Sequence, residues 1–144
     1  MSELYTYKLV NVIKVSDGDT LSHGGIDLGF GTHIMVQKGR TKTGKPTYYS
    51  IRFYGVNAPE TRRGWWSKGL SEEEIASEIE AGKEAKAWVT DMVESADEVR
   101  IRSMARGPDN FGRLLAVVYV VKDDVIINLC ERLLELGLAK PYIK

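Results

Sequence analysis

"IRFYGVNAPET", residues 51–61, is the stretch on which the reading of the whole chain turns. Ile51, Phe53, Tyr54 and Val56 are β-branched or aromatic and mark a strand. Pro59, which has no amide hydrogen to give a ladder, marks its end. Arg52 sits inside that apolar run, so its guanidinium either snorkels out to water or faces a polar cavity beside the turn. The turn carries one carboxylate, Glu60, and one amide, Asn57, where a second carboxylate would be natural if a metal were held there.

The same strand signature recurs at residues 4–15, 47–55, 98–104 and 113–121. In "EVRIRSM" (98–104) Val99 and Ile101 share one face while Arg100 and Arg102 share the other. Asp17-Gly18 is a hairpin signal between strands. "HGGIDLGFG" (23–31) lacks the lysine and Ser/Thr of a phosphate-cradling loop and reads as bends or bulges in sheet. "QKGRTKTGKPTY" (37–48) has the composition of an exposed hairpin tip.

Ser71 followed by Glu74 predicts a capping box. Behind it, Ile75, Ile79, Ala85, Trp88, Val89, Met92, Val93 and Ala96 recur at helical spacing, a stripe that reads as core. Gly82 reads as a break between two helical pieces. A second helix is predicted from Asn128, with Glu131 three residues on, to a left-handed cap at Gly137, and it places Cys130 inside. Several short strands, a long helix, two strands and a short helix make an α+β chain, with a small twisted or closed sheet supported by helices.

At 144 residues with 43% hydrophobic content, one buried core and a single domain over 1–144 are expected. The opening "MSELYTYKLVNVIKV" alternates and has no apolar signal core, and nothing approaches the ~20 apolar residues of a membrane span. An intracellular, membrane-free, monomeric protein is the expectation. Cys130 is the only cysteine, which excludes an intrachain disulfide and a cysteine zinc cluster. The net charge is zero but segregated: residues 1–69 hold 10 Lys/Arg against 5 Asp/Glu, residues 70–98 hold 2 against 10, and residues 99–144 hold 8 against 5. Folding can gather the two basic ends on one face.

Two histidines, His23 and His33, are too few for a histidine metal site, and no G-x-S-x-G nucleophile elbow is present. The candidate chemistry lies in carboxylates near turns (Asp17, Asp19, Glu60, Asp109) and in arginines (Arg52, Arg62, Arg63, Arg106, Arg113). Oxygen ligands suit hard cations and guanidinium forks suit phosphate oxygens, so the combination points to a phosphate ester.

Five segments in order, "VSDGDTL" (15–21), "IRFYGVNAPET" (51–61), "GKEAKAWV" (82–89), "DNFGRLLAVVYV" (109–120) and "INLCERLLELGLAK" (127–140), resemble the staphylococcal-nuclease-like, or thermonuclease, family. The resemblance implies a five-stranded OB-type β-barrel with packed helices, and an endonuclease that cuts DNA or RNA with calcium and leaves 3′ phosphates. By the same resemblance Asp19 is a calcium-ligand carboxylate, and Arg52 and Arg113 are phosphate-binding arginines. Glu60 would activate or orient the attacking water. Asn57 falls on a position commonly held by a ligating aspartate, and Ala58 on one whose backbone carbonyl can ligate.

Asn57 predicts a weaker calcium site or a shift towards magnesium or manganese. Asn110 and Phe111 stand where the family pattern has a lysine and a tyrosine on a terminal phosphate. The chain is longer than the compact family form between Asp19 and Arg52, as an extended hairpin near 22–50 whose Lys38, Arg40, Lys42 and Lys45 can grip a phosphate backbone. "GLAKPYIK" stands where the family adds a final helix, and Tyr142 is a candidate base-stacking residue. The rival reading is a non-catalytic OB-type module that binds nucleic acid or protein through a weakened site.

Overall fold

A computed structural model describes residues 6–104 and 113–142. Its strands begin with β1 (Thr6–Lys8), β2 (Val12–Asp17) and β3 (Thr20–His23), followed by two small hairpins, β4 (Ile26–Gly29) with β5 (Thr32–Ile34) and β6 (Gln37–Arg40) with β7 (Pro46–Tyr48). Next come β8 (Ser50–Phe53), β9 (Val56–Asn57), the helix α1 (Glu72–Glu94), β10 (Glu98–Ser103), β11 (Arg113–Lys122), β12 (Val125–Asn128), the helix α2 (Leu129–Glu135) and β13 (Lys140–Pro141). The stretch expected as one extended hairpin near 22–50 is therefore two short ones, because the glycines and the Phe30-Gly31 turn close the first before the basic segment starts.

The main sheet runs β1-β10-β11-β8-β3-β2, with β12 on β11. Its two ends, β1 and β2, are successive parts of one bent strand: Leu9 donates to the Val99 carbonyl at 2.8 Å, and Asn11 takes a left-handed φ of 54° at the bend just before β2. The sheet thereby closes on itself. Counting that bent strand once, five strands form the OB-type barrel, and its closure removes exposed edges.

Alternation decides the barrel lining. Val99 and Ile101 of β10 are buried while Arg100 and Arg102 are half-buried on the other face. β11 is buried continuously from Ala116 to Val120 because α2 covers its outer face, and its sequence is accordingly apolar without alternation. Leu21, Ile51, Phe53, Val118 and Val120 form the centre of the core, joined by Ala85 and Val89 of α1 and by Leu129 and Leu133 of α2. Cys130 packs inside, and burial pushes its thiol up.

Both helices begin where their caps place them. Ser71 and Glu74 form the reciprocal capping box, and the Asn128 side chain accepts from the Glu131 amide. Gly137 at φ 70° follows α2. Gly82 does not break α1, which runs unbroken from Glu72 to Glu94; tertiary packing outweighs the modest helix cost of one glycine. No helix among the described residues is long and apolar enough to cross a membrane. Arg106, Asp109, Asn110 and Phe111 lie outside the described residues.

Candidate functional site

Asp19 sits in the tight turn between β2 and β3 and is 6% exposed. Its Oδ1 accepts from the Thr20 hydroxyl at 3.0 Å, and its Oδ2 accepts from the Ala58 amide at 2.8 Å. Its main-chain carbonyl accepts from the Phe53 amide at 2.8 Å. The β2–β3 turn and the Asn57–Pro59 turn, far apart in sequence, are thus joined by the carboxylate. Gly18 lets them meet: a Cβ there would lie 2.7 Å from Ala85 Cβ and 3.0 Å from Ala58 Cβ. The glycine of the Asp17-Gly18 pair therefore serves close packing against α1 rather than a left-handed turn.

Arg52 pairs across the sheet with Thr20 and is 6% exposed, so its guanidinium turns inward to polar groups rather than out to water. Nη1 donates to the carbonyls of Phe53 at 3.0 Å and Val56 at 2.8 Å and lies 3.3 Å from Asp19 Oδ2. Nη2 donates to Asn57 Oδ1 at 3.2 Å. The fork is held by four acceptors, three on Nη1 and one on Nη2, which fixes its plane.

The C-terminal segment reaches the same point. β13 pairs with β9, Lys140 opposite Asn57, and the Tyr142 amide donates to the Gly55 carbonyl at 2.9 Å. The Tyr142 ring centre then lies 5.8 Å from the Arg52 guanidinium carbon, a cation–π distance. Arg113 opens β11 opposite Ser50 in the parallel register that sets Leu115 opposite Arg52. Residue parity puts Arg113 on the same sheet face as Arg52.

Glu60 lies just past Pro59 with its amide donating to Glu78 Oε2 at 2.8 Å. Partial burial raises its carboxyl above the ordinary range, with the negative charges of Asp17, Asp19 and Glu78 adding to the shift and Arg52 opposing it. Asp17 accepts from the Thr61 hydroxyl at 2.8 Å. The turn is pressed on α1 at Gly82, where a Cβ would fall far inside van der Waals contact with the Glu60 carbonyl group and 2.8 Å from the carbonyl oxygen of Pro59.

Asp19, Arg52, Asn57, Ala58 and Tyr142 are in direct contact, Glu60 is electrostatically coupled to them, and Arg113 shares their face. Lys38, Arg40, Lys42 and Lys45 are instead on the exposed β6–β7 hairpin, where Arg40 Nη1 donates to the Gly44 carbonyl at 2.8 Å. Among the described residues none of the four shares a hydrogen bond or ion pair with the Asp19–Arg52 cluster. Glu78 and Thr61 escaped the sequence reading: Glu78 is one of many acids on a helix, and only the fold turns it to Glu60.

The oxygen groups here fit a hard divalent cation in kind: the Asp19 carboxylate, the Asn57 side-chain carbonyl and the Ala58 main-chain carbonyl. Burial is the main cause of the upward shift of Glu60, and the negative charges of Asp17, Asp19 and Glu78 that add to it are ones a cation would offset. The fit is weak in charge. No group of three His, Cys, Asp or Glu residues is placed to hold a metal among the described residues, and Arg52 engages both Asp19 and Asn57.

A family model described as staphylococcal nuclease homologue matches residues 50–144. A search of the curated proteins found no match.

Proposed function

Because this chain belongs to the staphylococcal nuclease homologue family, we propose that it is a calcium-dependent phosphodiesterase that cleaves DNA or RNA internally and leaves 3′ phosphates. Proteins of this family act on or bind nucleic acids. The observation that carries the catalytic reading is the junction of Asp19, Arg52 and the Asn57–Glu60 turn at one point of the barrel rim.

In this reading Arg52 and Arg113 take the non-bridging oxygens of the scissile phosphate from one sheet face. The Arg52 fork is already oriented by the Phe53 and Val56 carbonyls, so little reorganisation accompanies substrate binding. Glu60 accepts a proton from water, or orients it, at its carboxylate. The water oxygen forms a bond to phosphorus as the bond to the 5′ oxygen breaks, and that oxygen takes a proton from solvent water while Glu60 returns its own to solvent. A positioned general base contributes about 10²- to 10⁴-fold. Asp19, Asn57 and Ala58 would hold the calcium, which, when bound, supplies positive charge against the phosphoryl oxygens. Tyr142 is offered as a stacking surface and the β6–β7 cations as backbone contacts.

A second reading, a nucleic-acid-binding module without catalysis, is favoured by the engagement of both Asp19 and Asn57 by Arg52. Plasmid nicking with calcium, magnesium or manganese, and with chelator, separates the two. Metal-dependent nicking that drops by orders of magnitude in Arg113→Ala supports the enzyme; folded protein inactive with all three metals overturns it.

A further inference from the structure

The loop after Glu60 holds two adjacent tryptophans with different fates. Trp66 anchors it: its indole N–H donates to the Arg62 carbonyl at 3.0 Å, and it packs so close to Gly64 that a Cβ there would be 3.3 Å from its ring. Trp65 is 90% exposed. The segment carrying it is ordered by its own bonds. It forms a 3-10 turn, Trp65–Ser67, in which the Ser67 hydroxyl donates to the Gly64 carbonyl at 2.6 Å and the Lys68 amide to the Trp65 carbonyl at 3.2 Å. Arg63 ties the loop to α1 through an ion pair with Glu72.

An indole presented to water on an ordered loop does nothing for folding. It offers a large, rigid face that gains by being covered. The surroundings choose the cover: Arg62 and Lys68 flank it three residues to either side in the chain, both exposed, and among the described residues neither pairs with a carboxylate. A flat apolar face on a short loop that also carries two uncommitted cations matches a base with its neighbouring phosphates. Trp65 lies five positions after Glu60, at most about 18 Å of chain, within the reach of the ~4–16 nucleotides that an OB-type fold covers.

We propose that Trp65 is a stacking platform for a base of single-stranded nucleic acid, with Arg62 and Lys68 contacting the flanking phosphates. This inference rests on the nucleic-acid reading above, but not on its catalytic step.

The test is titration of the full chain in chelator with fluorescein-labelled oligo(dT), read by anisotropy and by intrinsic tryptophan fluorescence. Trp65→Ala should bind about tenfold more weakly, while Trp65→Phe keeps most of the affinity. Arg62→Gln should reduce the slope of log affinity against log salt by about 0.7. Because the side chain is exposed, thermal unfolding of Trp65→Ala should match the parent and serves as the fold control. Unchanged affinity in folded Trp65→Ala overturns the proposal, as does fluorescence that responds to anionic phospholipid vesicles and not to the oligonucleotide. Trp65-dependent binding by a protein that nicks no plasmid supports this inference and sinks only the enzyme reading.

Discussion

Arg52 and Asp19 face each other across the junction of β8 with the β2–β3 turn, Nη1 3.3 Å from Oδ2, with side chains only 7% and 9% exposed. Each charge is also held by neutral groups: carbonyls of Phe53 and Val56 for the arginine, the Ala58 amide and Thr20 hydroxyl for the aspartate. The pair positions the two turns that make the site, so it belongs to the fold as much as to the chemistry.

Removing the arginine alone leaves a buried carboxylate without its counter-charge. Arg52→Ala should lose about 3–5 kcal/mol of stability in urea unfolding. Arg52→Lys should recover only part of this, because an ammonium lacks the planar fork that reaches Phe53, Val56 and Asn57 together. A loss under about 1 kcal/mol in Arg52→Ala would mean the pair is solvated in solution.

Asn57→Asp restores a negative charge beside Asp19. Calcium affinity by calorimetry should rise on the order of tenfold or more. In calcium-free protein the new carboxylate should also strengthen the contact with Arg52 Nη2, raising the midpoint of thermal unfolding. Identical calcium isotherms would show that residue 57 is not a ligand.

Glu60 gives a pH dependence whose sign is fixed by its raised carboxyl. The folded state holds the proton more tightly than the unfolded chain, so stability falls as pH rises from the ordinary carboxyl value of 4.5 through the folded value. Glu60→Gln removes that penalty. Without metal the variant should be more stable than the parent at pH 7 and lose the advantage near pH 4, while its cleavage rate falls about 10²- to 10⁴-fold. Parallel stability profiles from pH 4 to 8 would contradict the assignment.

Gly82→Ala should destabilise even though alanine is the better helix former. Its methyl group would meet the main-chain carbonyls of Glu60 and Pro59, which belong to the site turn and cannot swing aside. The expected cost is about 1–3 kcal/mol, with a drop in cleavage because Glu60 is displaced. Equal or higher urea stability would show that α1 can withdraw freely.

The sequence by itself determined where both helices start, the inner face of β10 and the core strand β11. Alternation at Val99 and Ile101, the box at Ser71 and Glu74 and the glycine stop at Gly137 are local devices, and local physics reads them directly. β12 had weaker signals, since "VIIN" is a short apolar run whose strand depends on the left-handed Asp123 and Asp124 turn against β11. Tertiary structure decided the rest. Whether Arg52 reached water or a cavity was open until β3 and the Asp19 turn closed over it. Gly82 looked like a helix break because its reason, a neighbouring carbonyl, lies in a turn 22 residues away. Glu78 and Tyr142 joined the site through packing of α1 and pairing of β13. Periodicity and caps act over a few residues and are written in order along the chain; charge proximity and close approach act through space, and only the closed barrel brings those partners together.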